Sequence, residues 1–485
     1  MLSPDFARIM FNPNGRRKRA KVEMEGGSDG PPDFTKKLPA TVLTHIISFL
    51  PIDEAARSGV LATYWKNLWK NTQHIEMHEK RLIMPFTQLL LSREPGSKDV
   101  TKGANRYALL VYRIMMRHHG DLHSCRILHL WRSLFYGEVP SWVDHLLKTK
   151  KGVEKLSLEC KPDDSEIKEF CITRDHIKLN LSDGMFRRLS CVELINYTLE
   201  FSNAFDGCIN LKTLKLEKIT LDDETLTEIL DTCVVLENFT LNHSTGFNQI
   251  IIMNESLIVL QLQGLCVDVL NVSCENLEVL LLDSITCPTN AASINTPNLT
   301  TFSSNYSSLF GNMHAVKEGY SLVKGCQILA HSAMVYPTIS LFTNLSTLSL
   351  GLDLNNIRDA QDLSSVLQLC TPLQVLKIYL PDFENPIIGS SNDYDFPYPL
   401  SKFWEKQEFS YCVHQNLKIV YIKAFKGNEL ELEFAKYLIA KATMMEEFTI
   451  FCNTLMEDAE NLMSLPKAST NLSIIFKVNA SNIMN

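Results

Sequence analysis

The sequence lacks the signatures of several large functional classes. It has no G-x-G-x-x-G, no Walker lysine loop and no H-E-x-x-H. A phosphate cradle and a paired-histidine zinc site therefore have no local basis in the chain. It has no uncharged apolar run of about eighteen residues, the length a membrane-spanning helix needs. The opening stretch MLSPDFARIMFNPNGRRKRA has no continuous apolar core, so it does not read as a secretory signal. Positive charge is in deficit, 47 Lys and Arg against 55 Asp and Glu for a net −8. A general nucleic-acid binder would be basic. The 13 cysteines are odd in number and contain no C-x-x-C pair. Buried reduced thiols in the cytosol or nucleus account for that pattern better than a disulfide framework. Without a secretory route, the Asn-x-Ser/Thr triplets at Asn238, Asn271 and Asn344 are polar repeat positions.

A chain of 485 residues, 45% apolar and 21% charged, has room for two or three globular domains or one extended array. Residues 1–32 are polar and broken by Gly and Pro, and read as disordered. They carry Arg16, Arg17, Lys18, Arg19 and Lys21, five positive charges in six residues. Such a run is either a nuclear-import signal or a solvated basic tail.

Residues 33–69 are dense in large apolar groups. Leu38 and Pro39 open a helix, because proline fits a first turn whose N–H has no partner. Leu43, Ile46, Ile47 and Leu50 recur as one apolar stripe. Pro51 closes that helix, since the residue before a proline is pushed out of helical geometry. Asp53 is expected to cap a second helix through Arg57. Thr63 is expected to cap a third that carries Trp65, Leu68 and Trp69 on one face. About forty residues cannot enclose all of these groups, so some face a partner or the rest of the chain.

Leu38-Pro39, Leu43, Ile46, Leu50-Pro51, Arg57, Val60-Leu61, Trp65 and Leu68-Trp69 resemble the F-box in type and spacing. Plant F-boxes usually read Leu-Ser-x-Arg-Trp where this chain has Leu61-Ala62-Thr63-Tyr64-Trp65. The resemblance implies docking onto a Skp-type adaptor, and through it a cullin. The implied contacts are Leu38, Pro39, Leu43, Ile46, Leu50, Pro51, Val60, Leu61, Trp65, Leu68 and Trp69.

Beyond a loop at residues 93–98, a helix is expected over about 105–116, with Leu109, Leu110, Tyr112 and Ile114 apolar. His118, His119, His123, Cys125 and His129 then cluster, as zinc ligands can. No ligand pair has finger spacing, and Cys125, Ile127 and His129 alternate like one face of a strand, so no metal is assigned.

From Val153 onward one phrase, L-x-x-L-x-L, repeats. Copies start at Leu189, Leu211, Leu236, Leu257, Leu277 and Leu299, spaced by 22, 25, 21, 20 and 22 residues. Others start at Leu345, Leu373 and Leu417, with degenerate end copies at Val153 and Met445. This is the period of leucine-rich repeats, short strands that bury their leucines by stacking on their neighbours. Helices are expected after Asp222-Asp223, through Leu226, Ile229 and Leu230, and near 358–369, with Leu363, Val366 and Leu367 apolar. The double-length gaps after Leu299 and Leu373 hold either a degenerate copy or an insertion.

The alternate positions of these strands form the candidate target-binding face: Thr213, Lys215, Glu217, Asn238, Thr240, Asn242, Gln261, Gln263, Thr301, Ser303, Lys377 and Tyr379. Mostly short and uncharged, they suit hydrogen-bonded capture of a protein segment better than an anionic ligand. The last recognisable stretch, residues 416–450, pairs a strand with a helix on the stripe Leu430, Phe434, Tyr437 and Leu438. Glu429, Glu431 and Glu433 stand early in that helix and Lys441 late, as the helix dipole favours. With Phe403-Trp404-Glu405-Lys406-Gln407 upstream, it resembles the FBD domain of plant F-box proteins, and reads physically as a C-terminal cap on the repeats.

The expected fold class is α/β: a three-helix F-box, a leucine-rich-repeat solenoid and an FBD-like end. The expected divisions are a tail at 1–32, the F-box at 33–75, a linker and N-terminal cap at 76–150, repeats at 151–400 and the FBD-like region at 401–485. The resemblance implies a non-catalytic substrate-recognition subunit of an SCF-type ubiquitin ligase, without cofactor, in nucleus or cytoplasm, binding an unidentified target protein but neither nucleic acid nor membrane. Two other readings stay open. One is a repeat scaffold without ligase function, and the other a sensor whose small ligand fills the repeat face.

Overall fold

A computed structural model describes residues 34–82, 98–130, 137–161, 178–288, 291–305, 320–322, 328–329, 332, 342–381, 402–407, 410–452 and 458–478. The basic run at 16–21 and most of the 93–98 loop lie outside the described residues. The chain divides into two compact units, Met1–Leu221 and Asp222–Asn485.

The first unit begins with short helices. A 3-10 turn, Phe34–Lys37, precedes α1 (Ala40–Ile47), and α2 (Ile52–Arg57) follows. Pro39 and Pro51 are the N-cap residues of the two helices, a position where a missing N–H costs nothing. Asp53 is thus not the cap that its sequence context suggested. It lies inside α2, 1% exposed, where Arg57 and, at 3.3 Å, Arg81 bond its carboxylate. The expected third helix is two 3-10 turns, Thr63–Trp65 and Leu68–Asn71. The segment is too short between its turns to complete an α-helical nucleus.

Five strands follow: β1 (His74–His78), β2 (Ser124–Leu130), β3 (Lys155–Lys161), β4 (Cys191–Ile195) and β5 (Thr213–Glu217). They pair in parallel in chain order. Helices α3 (Lys98–Arg117) and α4 (Glu138–Thr149) meet through the rings of Tyr107 and Trp142, 5.2 Å apart and edge to face. In α3, Tyr107, Leu110, Val111 and Ile114 are buried, while Leu109 faces outward at 54% exposure.

The second unit opens with α5 (Asp223–Thr232), where the Asp222 carboxylate accepts the N–H of Thr225 at 2.8 Å as an N-cap. Its strands are β6 (Asn238–Asn242), β7 (Gln249–Ile252), β8 (Val259–Gln263), β9 (Val269–Ser273), β10 (Val279–Asp283), β11 (Thr286–Pro288) and β12 (Ala292–Asn295). Then come β13 (Thr301–Asn305), β14 (Tyr320–Leu322), β15 (Thr347–Gly351), β16 (Val375–Tyr379), β17 (Ile419–Phe425), β18 (Glu447–Cys452) and β19 (Ser473–Val478). Helices α6 (Ile357–Leu369), α7 (Tyr411–Gln415), α8 (Glu429–Lys441) and α9 (Asp458–Met463) complete the unit.

The main sheet of this unit runs β6-β8-β10-β13-β15-β16-β17-β18-β19, parallel throughout. Every recognised repeat phrase supplies one of its strands or one of the first unit's. All three apolar positions of each copy from Leu189 to Leu282 are at most 2% exposed, so stacked leucines make the core. A second parallel sheet, β12-β9-β7, lines the return path where the repeats are too short for a helix.

The two long gaps resolve as insertions. β13 pairs directly with β15, and β16 directly with β17, so neither gap contributes a strand to the main sheet. The FBD-like stretch is not the terminal cap expected of it. Its strands β17 and β18 continue the ladder in register, and β19 is the last strand.

Sidedness is reinforced at the turns. Asn276, Asn298, Asn344 and Asn416, each just before the first leucine of a copy, donate their amides to Glu255, Glu275, Pro297 and Thr371 carbonyls at 2.8–3.2 Å. The residue after each strand takes a left-handed turn at Asn196, Lys218, His243, Gly264 and Ser284. No helix among the described residues is long and apolar enough to cross a membrane.

Candidate functional site

The expected apolar stripe of α1 divides into two. Leu43 and Ile47 are 3% and 0% exposed and pack inward with Leu68 and Trp69. Val42, Ile46 and Phe49 lie on the opposite flank at 41%, 45% and 71% exposure. Two further apolar residues, Val60 and Leu61, are 61% and 77% exposed after α2. Among the expected adaptor contacts, Leu38, Pro39, Ile46, Val60 and Leu61 are open to solvent, while Leu50, Pro51 and Trp65 are half-buried. Leu43, Leu68 and Trp69 hold this segment's own core and present nothing to a partner, which corrects their assignment as contacts. Val42 and Phe49, spaced to share a helical face with Ile46, are exposed beside it.

Tyr64 stands where the plant F-box has its basic residue. Its hydroxyl shares a 2.6 Å hydrogen bond with Thr35 Oγ1, tying the opening 3-10 turn to the later one.

The histidine-rich stretch is a structural junction. His118 is buried and bonds through Nε2 to the Thr72 carbonyl at 2.7 Å, while the His119 N–H donates to Lys70 O at 2.7 Å. A Cβ on Gly120 would lie 2.7 Å from Asn71 Cα, a closeness only glycine permits. Cys125, Ile127 and His129 share the buried face of β2, as their alternation predicted. His129 Nδ1 donates to Leu130 O at 2.8 Å, and its Nε2 meets Tyr197 Oη at 2.6 Å. Burial lowers both His118 and His129 to about 4, and pushes the Cys125 thiol up to about 12. Both ring nitrogens of His129 meet protein partners, whereas His118 bonds through Nε2 alone and its Nδ1 is buried without a hydrogen bond. The stretch from Leu122 to Ile127 is in fact a further repeat copy, disguised by Cys125 in the place of a leucine.

The target-face residues lie at alternate strand positions, but Asn242 is buried at 8% exposure, which corrects its place on that face. In the first unit, Thr213 and Lys215 are on β5, where Lys215 bridges Glu193 at 2.9 Å and Glu217 at 3.1 Å. In the second, Thr240 pairs with Gln261 and Asn242 with Gln263, while Asn238 lies at the start of β6. Gln263 donates to Asp283 at 3.2 Å. Thr301 and Ser303 continue that face on β13. Lys377 lies over the Tyr421 ring at 6.0 Å, and Lys423 over Tyr379 at 5.9 Å. Tyr421 and Lys423 were missed, because only strand register brings β17 beside β16.

Helix α8 is held by one buried carboxylate. Glu431, 1% exposed, accepts the N–H groups of Lys426 and Gly427 at 2.8 and 2.9 Å and the Asn355 amide at 3.0 Å. The Trp404 ring stacks against Phe434 at 4.6 Å and Tyr437 at 5.6 Å, which explains the aromatic signature upstream.

Comparison with known families matches residues 410–450 to FBD. Residues 140–308 match the LRR repeats of FBD-associated F-box protein At5g56370. Over most of its length the chain is similar to plant F-box, LRR and FBD proteins. It is 27% identical to F-box protein At1g80960 of Arabidopsis thaliana, over 87% of this chain and 84% of that one. It is 25% identical to Putative F-box protein At1g67390 of the same plant, over 91% of each. Against the Arabidopsis F-box/FBD/LRR-repeat protein At1g13570, identity is 22% over 92% of this chain and 98% of the other. The residues that match FBD comprise α7, β17, α8 and β18 as far as Ile450.

Proposed function

We propose that the chain is the substrate-recognition subunit of an SCF-type cullin-RING ubiquitin ligase. Its first helices would form the F-box that docks a Skp-type adaptor, and through it a cullin. The exposed faces of the strands would hold a target protein. The observation that carries this reading is the outward set Val42, Ile46, Phe49, Val60 and Leu61, in a chain whose relatives are named F-box proteins. Apolar side chains this open are a cost in a free monomer and fit a surface that a partner covers.

The mechanism would be positional. Holding a target and a charged ubiquitin-conjugating enzyme in one assembly raises the effective concentration of a target lysine by orders of magnitude, without chemistry from this chain. The junction at Lys70–Asn71, His118–Gly120 and Lys150 supports such a role, because it fixes the helical segment against β1 and β2 within the first unit.

The test is reconstitution with adaptor, cullin, RING subunit and conjugating enzyme in a cell extract. Ubiquitin chains should build on proteins retained by the full-length chain, and lose that dependence when residues 34–75 are removed. Equal transfer without those residues would contradict the reading. The basic run at 16–21 would direct the protein to the nucleus. Replacing Arg16, Arg17, Lys18 and Arg19 by Ala should lower the nuclear fraction of a fluorescent fusion, and an unchanged distribution leaves a solvated tail.

A further inference from the structure

The exposed strand faces of the two units handle charge in opposite ways. In the first, most basic groups are paired: Arg126 with Glu159 at 3.0 Å, Lys161 with Glu159 at 3.4 Å, and Lys215 with Glu193 and Glu217. Lys155, at the start of β3, has no ion pair among the described residues. In the second, Lys377, Lys423 and Lys477 meet no carboxylate among the described residues, and each lies over an aromatic ring instead. Lys377 covers Tyr421, Lys423 covers Tyr379, and Lys477 covers Phe451 at 5.4 Å.

The register makes this a lattice. Tyr379, Lys423, Phe451 and Lys477 stand side by side across β16, β17, β18 and β19, with Lys377 beside Tyr421 in the neighbouring row. Cations and rings therefore alternate along and between rows. The rings hold the ammonium groups by their negative faces without neutralising them. The heads remain full charges, already in position. Among the described residues Glu447 borders the patch, and it hydrogen-bonds Tyr421 and Thr449 rather than a lysine.

We propose that this surface binds an acidic, extended segment of a partner protein, a refinement of the target-binding role that rests on the proposed function. Strands lie about 4.8 Å apart, so Lys423 and Lys477 stand roughly 10 Å apart, close to three residues of extended chain. Carboxylates at every third residue would meet the lysines in turn, and apolar residues between them would rest on the exposed edges of Tyr379 and Phe451. A protein segment fits better than a nucleic acid. The chain is acidic overall, the cations are three, and the ring faces that bases would stack on are already covered by lysine. The sequence favours hydrogen-bonded capture of a protein segment over an anionic ligand; pairing across strands adds to that reading, because it gathers lysines that are far apart in sequence.

The probe is a fluorescein-labelled twelve-residue peptide of repeating Asp-Ala-Leu, titrated by anisotropy into the purified full-length chain. Saturable binding that weakens with salt is expected. The variant Lys377→Ala/Lys423→Ala/Lys477→Ala should lose about tenfold or more in affinity. The triple Lys→Glu variant should instead bind the matching Lys-Ala-Leu peptide. These side chains are outside the core, so circular dichroism should match wild type in both variants. Undiminished Asp-Ala-Leu binding by the alanine variant would overturn the proposal, as would equal binding of polyuridylate by the wild-type chain. The assay contains no adaptor. A chain that binds this peptide but fails in ubiquitin transfer would contradict the ligase reading alone, and the reverse result would contradict this surface alone.

Discussion

His118 and His129 are folded in their neutral form, which makes the first unit sensitive to mild acid. Both rings have pKa values near 4, against an ordinary 6.5, because burial excludes the charged form. Between those limits the unfolded chain binds protons that the folded chain refuses. Stability therefore falls as pH drops through that window and levels off below it. Each such shift corresponds to at most ~3 kcal/mol. Thermal melting of the full-length chain should fall between pH 7 and pH 5, and His129→Gln should flatten part of that slope. An identical slope in the variant would remove His129 from the account. The Glu431 carboxylate is a second residue-scale hinge of stability, since it satisfies two loop N–H groups and one amide in a buried place. Glu431→Ala should cost ~2–4 kcal/mol by leaving those donors unpaired, and Glu431→Gln less. Denaturant titration of the two variants checks the order.

Among the elements, the loop from His118 to Gly120 has the narrowest tolerance. Gly120→Ala places a methyl group against Asn71 backbone, so it should destabilise the first unit by ~2 kcal/mol or more. Faster hydrogen exchange at residues 70–74 and 118–124 is the expected mark. Unchanged protection there would show that the junction yields easily. The strands were legible in the sequence because each leucine phrase is local and cannot be buried alone. The copy at Leu122-Cys125-Ile127 is hard to recognise in the sequence, because Cys125 takes the place of a leucine and histidines surround it. Strands β7, β9 and β12 were illegible for a different reason. Segments such as Gln249–Ile252 are only four residues long, and an unbroken run of three isoleucines shows no alternation, so only stacking in a second sheet decides. The α1 stripe was read correctly as apolar, but sequence spacing could not say which flank faced inward. Burial of Leu43 and Ile47, against exposure of Ile46, follows from the position of Trp69 and Leu68 beneath the helix.

Across the whole molecule, the account joins an open apolar surface at one end of the sequence to strand faces that carry repeated polar and cationic positions. Its central claim is that the outward flank of α1 and the Val60-Leu61 turn are a partner's docking site rather than unused surface. The most direct measurement is the affinity of the full-length chain for a purified Skp-type adaptor, by titration calorimetry, with Ile46→Asp and Leu61→Asp compared with wild type. Both side chains are already in water, so circular dichroism and melting should stay near wild type. Losing an apolar anchor and burying a charge should cost ~2 kcal/mol or more each, at least about thirtyfold in affinity. Tight wild-type binding, with both variants weakened and still folded, is the predicted result. Wild-type affinity in both variants, or no adaptor binding by the wild-type chain, would contradict the account.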